Sequence, residues 1–553
     1  MNILLQLFFI FLVIPPVTLS SQFIQPKRPK NFKPYTYDYA IEQLHQKFSH
    51  KIIEQAKHDI RELEAINHEG RYKPYLDSLD EHPTPEWYKD AKLGIFFDWG
   101  VYSVAGYAEK GWNRARYPDW YLSNMYSRYE VYHKKFWGED FHRDDFIPLF
   151  DARNFDAEFV VNLAKTAGAK YFVPFSKHHD GYCLWASKYT YRDVIDMNPG
   201  RDICREIIAA CKKFGIKHGF YFSVEEYEYP LIDENGQLRI RLWSQDMAPD
   251  NATVQSVNNE YYVNFDTAFH NRIISGKIPV TNFIDQYIVP QAKDYIDNYD
   301  PDILWFDGEW QRCADYYRTP DIVAYFYNKA TGIKEVVAND RMGLGTREHH
   351  GDFHTSETDE VVEAQDFPWE ENRSMSESYG YNWSDSLSNY LTADELIEML
   401  VRIVAKGGNL NLIVNPDGSG RIPELQLNLL NELGEWLNIN GEAIYGTRTY
   451  EVVCDNTQLG QPVWYTRSKD KKYGYAICVD WPKSETFVCP GANPVWETNI
   501  YMLGYDNPLE WVDTGDNWGL VVKIPQEMLS DSSTRPCKYA WVFKFEWDWK
   551  NEF

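Results

Sequence analysis

Short apolar runs alternate with helical stretches through the middle of the chain. Stretches such as 202–214 and 393–405 carry apolar residues every three or four positions, which predicts amphipathic helices. Seven short runs that are apolar on both faces and end in polar residues are 93–98, 170–176, 217–223, 302–307, 335–340, 352–357 and 409–415. Such runs predict a parallel sheet that closes into a (β/α)8-like barrel. No eighth run is evident, so we expect one irregular stave.

The pattern differs at the two ends of the chain. An apolar stripe across 39–66 predicts an amphipathic helix after a Pro- and Lys-rich arm. Beyond residue 446, short aromatic strands alternate with Gly, Pro, Asn and Asp, which predicts a C-terminal all-β sandwich. The predicted organisation is a signal peptide, an N-terminal arm and helix, the α/β barrel and the sandwich, over 1–20, 21–84, 85–445 and 446–553.

The first residues predict export. Residues 3–14 are apolar except for Gln6, and small residues at Thr18 and Ser20 suit cleavage near Ser20. This apolar core is too short to span a bilayer, and no later segment approaches the length that a transmembrane helix needs. We therefore expect a secreted or lysosomal protein without a membrane partner.

Charge and cysteine content narrow the classes of partner. The chain has 56 Lys and Arg against 82 Asp and Glu, a net charge of −26, which disfavours binding to nucleic acid. Eight scattered cysteines show no zinc-ligand spacing, and those after residue 450 are the better candidates for disulfides in an exported protein. Sequons predict surface loops that carry glycan at Asn251, Asn372 and Asn382.

Polar residues follow the predicted strands where the mouth of a barrel would lie. They are Asp98, the stretch 177–180, Glu225, Glu226, Asp307, Glu309, Trp310, the stretch 339–341 and Glu357. The carboxyl ends of barrel strands meet at one face, so these carboxylates, histidines and Arg341 should converge. Paired carboxylates suit glycoside hydrolysis, in which one attacks the sugar and the other protonates the leaving oxygen.

A metal site is the competing interpretation of His178, His179 and Asp180. Adjacent residues in a strand point to opposite faces, so both histidines could bind one ion only if the strand had already ended. We therefore expect no bound metal. A metal-dependent barrel hydrolase stays open as an alternative function.

Six ordered motifs carry a resemblance to a known family. They are residues 83–96, Ser176-Lys-His-His-Asp-Gly181, Asp302-Ile-Leu-Trp-Phe-Asp-Gly308, Asn339-Asp-Arg341, and residues 407–415 and 434–445. In this order they resemble the α-L-fucosidases of glycoside hydrolase family 29, from about residue 83 to 546. The resemblance implies a retaining exo-glycosidase without metal or organic cofactor. Its substrate would be terminal α-L-fucose on glycoproteins or glycolipids, and because members often associate, a homo-oligomer stays open.

The resemblance also implies roles for individual residues. Asp307 matches the nucleophile and Glu357 the acid/base, with Glu309 and Glu226 as competitors for the second role. Arg341 would keep Asp307 ionised, and His178 and His179 would bind sugar hydroxyls. The substrate-binding set is completed by Asp98, Trp99, Asp119, Trp120, Phe222 and Trp310.

Two positions depart from the family pattern. The family usually has His where this chain has Asp98, and Glu where it has Asp119. Extra carboxylates near Asp307 place like charges together and raise the pKa of one of them. The second hypothesis is therefore a fucose-binding pseudoenzyme whose turnover is lost or altered through Asp98 and Asp119.

Overall fold

The computed structural model describes residues 25–109, 116–247, 253–257, 260–357, 363–457, 460–482, 484–513 and 519–548. The predicted signal peptide with its cleavage near Ser20, and the sequon at Asn251, lie outside the described residues. No helix within these ranges is both long enough and apolar enough to cross a bilayer.

Eight parallel strands form the barrel, and we number them β1 to β8 in chain order. They are Leu93–Phe97, Tyr171–Lys177, Lys217–Ser223, Ile303–Asp307, Val337–Ala338, His354–Ser356, Trp369–Ser374 and Asn409–Val414. Their spatial order is β6-β7-β8-β1-β2-β3-β4-β5. A parallel bridge between Asn339 and Phe353 joins the β5 and β6 edges and closes the ring. The predicted (β/α)8-like barrel is confirmed.

The irregular part of the barrel is β5 to β7. Strand β5 has two residues, and β7 is the strand that the sequence pattern did not reveal. Strand β7 is polar, yet Glu370, Glu371 and Asn372 are buried in it. The Glu370 carboxylate accepts hydrogen bonds inside the barrel from Tyr88, Tyr171, Trp305 and Asn411. Four donors replace water around this carboxylate, so a charged residue occupies a position usually held by an apolar one.

Helices surround the barrel and also precede it. The N-terminal helices are Ile41–Glu69, Leu76–Leu79 and Glu86–Ala91. The larger helices of the outer layer are Ala157–Thr166, Ile203–Phe214, Val289–Tyr299, Thr319–Ala330, Ala393–Ala405 and Glu424–Asn440. Short helices are Tyr102–Ala105, Tyr121–Asn124, Glu130–Phe136, Thr267–His270, Ala314–Tyr317 and, near the C-terminus, Gln526–Ser530. Local sequence sets the start of some helices: Asp202 caps one by accepting a hydrogen bond from the backbone of Arg205.

Side chains of the barrel strands alternate between two apolar cores. Phe96, Tyr221 and Trp305 point into the barrel, where they pack with one another. Their neighbours Phe97, Phe222 and Phe306 point outward into the layer between strands and helices. This period of two decides which residues reach the active-site mouth.

An antiparallel sheet is inserted between β3 and β4. Its strands are Glu228–Ile232, Leu238–Leu242, Gln255–Val257 and Glu260–Asn264. Arg241 from this sheet forms two hydrogen bonds to the buried Glu225, just beyond the end of β3. Bidentate pairing of this kind fixes the sheet against the barrel mouth.

The C-terminal region is a sandwich of two antiparallel sheets, as predicted. The five-stranded sheet contains Thr447–Asn456, Pro462–Ser468, Tyr473–Cys478, Trp541–Glu546 and Tyr501–Met502. The three-stranded sheet contains Thr486–Cys489, Leu520–Lys523 and Trp511–Asp513. Both sheets contribute to one apolar core. All eight cysteines are described, and none is in a disulfide.

Candidate active site

A cavity of about 390 Å³ opens at the carboxyl ends of the barrel strands. Among the predicted residues, its walls include Asp119, Trp120, His178, Asp307, Trp310 and Glu357. The remaining lining is mostly aromatic, as in sites that enclose a small polar ligand.

Asp307 ends β4 and is surrounded by donors. The Tyr221 hydroxyl donates to its Oδ2 at 2.5 Å, and His179 Nε2 lies 3.5 Å from the same oxygen. Arg341 Nη1 donates to Oδ1 at 3.3 Å. Burial opposes ionisation, but the neighbouring His179, Arg341 and Tyr221 lower the pKa of Asp307 to about 2. The carboxylate is therefore charged throughout the physiological pH range.

Arg341 connects Asp307 with two other carboxylates. It is buried over the ring of Trp305, and its Nε donates to Thr355 Oγ1 at 2.9 Å. Its Nη1 lies 3.5 Å from Glu309 Oε1, and its Nη2 lies 2.5 Å from Glu357 Oε1. Burial disfavours the charged guanidinium, but these acidic neighbours raise the pKa of Arg341 well above its usual value. The Arg341 guanidinium therefore lies within 3.5 Å of the carboxylates of Asp307, Glu309 and Glu357.

The three candidates for the second catalytic carboxylate occupy different surroundings. The Glu357 side chain lines the cavity and is 29% exposed. Glu309 is buried, and burial together with the Asp307 charge raises its pKa. Glu226 lies between Lys177 and Lys277, whose charges outweigh burial and lower its pKa to about 2. Glu226 is thus fixed as a structural anion, and Glu357 has the open access that a proton donor needs.

The two histidines face different partners. His178 Nε2 lies 3.5 Å from Asp119 Oδ2, whereas His179 Nδ1 lies 2.5 Å from Ser223 Oγ. Burial lowers the pKa of His178 to about 3, so this ring is neutral. Among the described residues, a group with metal-ligand spacing is formed by His58, Asp59 and Glu62 on the first helix. Neither His178 nor His179 belongs to this group.

Asp98 and Asp119 lie buried beside this pocket. Asp98 accepts a hydrogen bond from the Tyr102 hydroxyl, while Asp98 Oδ2 and Asp119 Oδ1 have no hydrogen-bond partner among the described residues. Burial and the Asp119 charge raise the pKa of Asp98 well above its usual value. Burial raises the pKa of Asp119 to about 7. Below that pH Asp119 carries a proton, so it can donate a hydrogen bond as a neutral side chain would.

The predictions for Trp99 and Phe222 are wrong. Trp99 packs outside the barrel on Phe150 and Phe155, and its Nε1 donates to the Asp417 carbonyl. Phe222 is also in the outer layer, where it contacts Trp185. Both follow an inward-pointing residue by one position, so strand alternation turns them away from the cavity.

The predicted glycan sites Asn372 and Asn382 are also wrong. Asn372 is 1% exposed within β7, and its Nδ2 donates to the Ser356 carbonyl. Asn382 is 3% exposed, and its Nδ2 donates to the Ala108 carbonyl and to Ser378 Oγ. Neither amide therefore lies on a surface loop from which a glycan could extend into solvent. A sequon marks the acceptor chemistry but not its exposure.

Several residues of the site were not predicted. Tyr221 binds Asp307, Trp305 lies under Arg341, and Tyr379 lines the cavity mouth stacked on Tyr117. The alternation of side chains contained a signal for two of them. Trp305 precedes Asp307 by two positions, and the strand register pairs it with Tyr221. Nothing in the sequence pattern pointed to Tyr379, which lies on an irregular loop.

Comparison with known proteins identifies the family. Residues 60–442 match the family model described as Alpha-L-fucosidase, and residues 455–546 match Alpha-L-fucosidase C-terminal domain. Human plasma alpha-L-fucosidase is 31% identical over 85% of this chain and 92% of that protein. Human tissue alpha-L-fucosidase is 30% identical over 86% and 91%.

The solved structures agree with the sequence comparisons. The Thermotoga maritima alpha-fucosidase in complex with fucose aligns with a TM-score of 0.67 and 30% identity. The alignment covers 86% of this chain and 100% of that chain. The chain therefore belongs to the alpha-L-fucosidase family of glycoside hydrolases, family 29.

Proposed function

We propose that this protein hydrolyses terminal α-L-fucosyl linkages of glycoproteins or glycolipids with retention of configuration. The observation that carries the proposal is the Asp307 carboxylate, kept ionised by Tyr221, His179 and Arg341 at the base of an aromatic cavity. A nucleophile of this class must be charged and must face the anomeric carbon. Membership of the family supports fucose as the sugar.

In the first step, a protonated Glu357 donates its proton to the glycosidic oxygen. Asp307 forms a bond to the anomeric carbon as the bond to the leaving oxygen breaks. The products are the free alcohol and a fucosyl ester on Asp307. Glu357 Oε1 lies 2.5 Å from Arg341 Nη2 in this structure, so we expect the bound substrate to separate the two groups before the proton is transferred.

In the second step, Glu357 takes a proton from water. The resulting hydroxide-like oxygen attacks the anomeric carbon and displaces Asp307, which releases fucose and restores both carboxyl groups. Two inversions give net retention. Arg341 contacts both carboxylates and would keep their charges balanced while the proton moves.

Sugar hydroxyls have candidate partners in the buried polar atoms that lack one. Among the described residues of the site, they include Asp98 Oδ2, Asp119 Oδ1 and His178 Nδ1. Trp120 and Trp310 supply aromatic faces for the apolar side of the sugar. Because Asp307 keeps its donors despite Asp98 and Asp119 nearby, no feature of the described site favours the binding-only alternative.

The test is hydrolysis of a nitrophenyl α-L-fucoside. We expect Asp307→Gly to lower kcat at least about a thousandfold, since removal of a covalent nucleophile blocks the first step. Asp315→Asn, an exposed aspartate on a short helix, is the matched control. Proton NMR at early times should show α-fucose first. Appearance of β-fucose first, or full activity in Asp307→Gly, would refute the mechanism.

A second experiment separates Glu357 from Glu309 as the acid. If Glu357 protonates the leaving oxygen, Glu357→Gln should slow fucosides with poor leaving groups far more than dinitrophenyl fucoside, which needs little protonation. Glu309→Gln should slow both to a similar extent. The reverse result would assign the acid to Glu309.

We further propose that the protein acts after export, in secretions or in the lysosome. The apolar N-terminal stretch and relatives named plasma and tissue alpha-L-fucosidase support this location. Expression in cultured cells followed by N-terminal sequencing of the released protein should show a chain beginning after about Ser20. Retention of the intact leader in cytosol would contradict export.

A further inference from the structure

A second large cavity lies on the opposite side of the barrel from the candidate active site. Its volume is about 460 Å³, and its walls come from the segment before β1, the start of β7 and the C-terminal region. Lys92, Trp369, Tyr450, Arg467 and Trp547 are among its lining residues. The mouth of a parallel barrel is at the carboxyl ends of its strands, so this cavity at the amino ends is separate from the catalytic centre.

Lys92 is the unusual residue of this cavity. Lys92 is only 2% exposed. Its ammonium group forms no hydrogen bond or ion pair with any described residue. Burial, together with the nearby Arg448, lowers the pKa of Lys92 to about 7. Buried ammonium groups are normally paired, because removal from water without a partner is costly. The cavity is the route by which an anion from solution can reach Lys92 and supply a counter-charge.

Arg467 adds a second cation without an acidic partner among the described residues. It donates only to the Ser468 carbonyl, and its guanidinium lies 5.7 Å from the centre of the Trp547 ring. Burial and the Arg448 charge lower its pKa as well. By contrast, Arg448 is paired with Glu86 and Asp90, and Lys89 with Glu86. Lys92 and Arg467 thus line one cavity, and neither has an acidic partner among the described residues.

We propose that this cavity binds a small oxyanion, held by Lys92 and Arg467. An oxyanion would supply the missing counter-charge and accept hydrogen bonds from both groups. The shared chemistry is that of sulfate, phosphate or the carboxylate of an acidic sugar. The aromatic faces of Trp369, Tyr450 and Trp547 leave room for a sugar ring to stack beside the charge.

The pH dependence of binding follows from Lys92. Charged groups around it are Lys89, Asp90, Asp366, Arg448, Glu451 and Lys471. As the pH falls through about 7, Lys92 gains a proton and its charge. Affinity for an anion should therefore be greater in an acidic compartment than at the pH of blood.

The experiment is calorimetric titration of the full-length protein with sodium sulfate at constant ionic strength. Sulfate keeps its charge from about pH 5 to 8, so any pH dependence comes from the protein. We expect binding at about pH 6 that weakens severalfold by about pH 8. Lys92→Met should weaken binding at least tenfold at the lower pH and remove the pH dependence. Lys523→Met, an exposed lysine of the C-terminal region, is the matched control and should bind as the wild type.

Two further comparisons make the outcome decisive. Arg467→Met should also weaken sulfate binding, which keeps the test valid if Lys92→Met fails to fold. Glucuronate, with glucose as its neutral counterpart, distinguishes an acidic sugar from an inorganic ion. Tighter binding of glucuronate identifies a sugar ligand, and sulfate alone identifies an oxyanion site. Absence of binding by both anions, or binding unaffected by Lys92→Met and Arg467→Met, would overturn the proposal, whatever the fucosidase activity shows.

Discussion

The charge of Asp307 depends on a few donors, and Tyr221 makes the shortest contact among them. Tyr221→Phe removes only that hydroxyl, because the ring remains stacked on Phe175. A hydrogen bond to a charged group contributes about 1.5–3 kcal/mol, so we expect kcat/KM to fall about tenfold to a hundredfold. The pKa of Asp307 should rise, and kcat/KM at about pH 4 should fall further than at about pH 6.

Phe222→Leu is the matched control for Tyr221→Phe. Phe222 is the next residue of the same strand, but it lies in the outer apolar layer. This variant should lower the free energy of unfolding without changing the shape of the pH profile. If both variants altered the profile equally, the effect would arise from general loosening of β3 and not from the hydroxyl.

Asp119 gives the pocket a second titration. Its pKa is raised by burial from 3.8 to about 7, so it donates a hydrogen bond below that pH and is an extra anion above it. We expect 1/KM to decrease as pH rises through about 7, because the ionised form repels Asp307 and no longer donates. Asp119→Asn keeps a neutral donor and should flatten this limb. A limb that persists unchanged in Asp119→Asn would assign it to another group.

The same shift has a consequence for stability. A carboxyl whose folded-state pKa is raised stabilises the fold fully below its unfolded pKa and loses that contribution as the pH rises through the folded value. The window for Asp119 therefore runs from about pH 4 to about pH 7. The contribution of Asp119 alone favours the fold at the acidic end, so the loss of stability in Asp119→Asn relative to the wild type should differ between about pH 4 and pH 7 in urea titrations.

Sequence patterns predicted which residues belong to the site better than the direction in which individual side chains point. Asp119, Trp120, His178, Trp310 and Glu357 all line the cavity. The strand-end pattern placed His178, Trp310 and Glu357 at the mouth of the barrel, and the family resemblance added Asp119 and Trp120. Trp99 and Phe222 were misplaced because a motif match does not say which of two adjacent residues points inward. Residues two positions apart on a strand point to the same face, so Asp307 indicates that Trp305 also points into the barrel.

Among the elements, β7 is the one in which polar side chains replace an apolar interior. Glu370 has four hydrogen-bond donors around its two oxygens. Glu370→Ala would remove the shared acceptor of these four donors, at about 1–3 kcal/mol for each donor left unsatisfied. We expect the free energy of unfolding to fall by about 4 kcal/mol or more in urea denaturation.

Two variants of this region test that interpretation. Glu370→Gln keeps one acceptor, and the tyrosine hydroxyls can turn to accept from its amide, so its loss of stability should be much smaller. Glu335→Ala removes an exposed carboxylate just before β5 and should change stability by less than about 0.5 kcal/mol. Equal losses for Glu370→Ala and Glu335→Ala would show that the network does not hold the barrel together.

The same network explains why the eighth strand was missed. Strand assignment from sequence relies on apolar or alternating residues, and Trp369–Ser374 has neither pattern. Its polarity is satisfied by residues from β2, β4 and β8, which are distant along the chain. Strand β5 raised the opposite difficulty, since its apolar run is longer than the two residues that form ladder pairs. The bounds of β5 and β7 become clear only from their pairing with neighbouring strands in the closed barrel.

At the scale of the whole molecule, the five-stranded sheet joins the two larger units. Tyr475 and Ile477 face the layer that covers the barrel, whereas Ala476 and Cys478 face the sandwich core. Both faces of this sheet are therefore buried. Trp436 adds a polar link, because its Nε1 donates to the Ala540 carbonyl at 2.8 Å. The sandwich thus packs directly against the helices that surround the barrel.

This shared sheet predicts that the barrel and the sandwich unfold together. Ile477→Ala removes a buried side chain at the junction, and Val522→Ala removes one from the far sheet of the sandwich. Each should lower the free energy of unfolding, by about 2–5 kcal/mol for the isoleucine and somewhat less for the valine. Calorimetry should show one transition in both variants, with fucosidase activity lost at the same temperature. If Val522→Ala instead melted in two steps and kept activity beyond the first, the sandwich would be an independent domain, because loss of its core would leave the catalytic barrel intact.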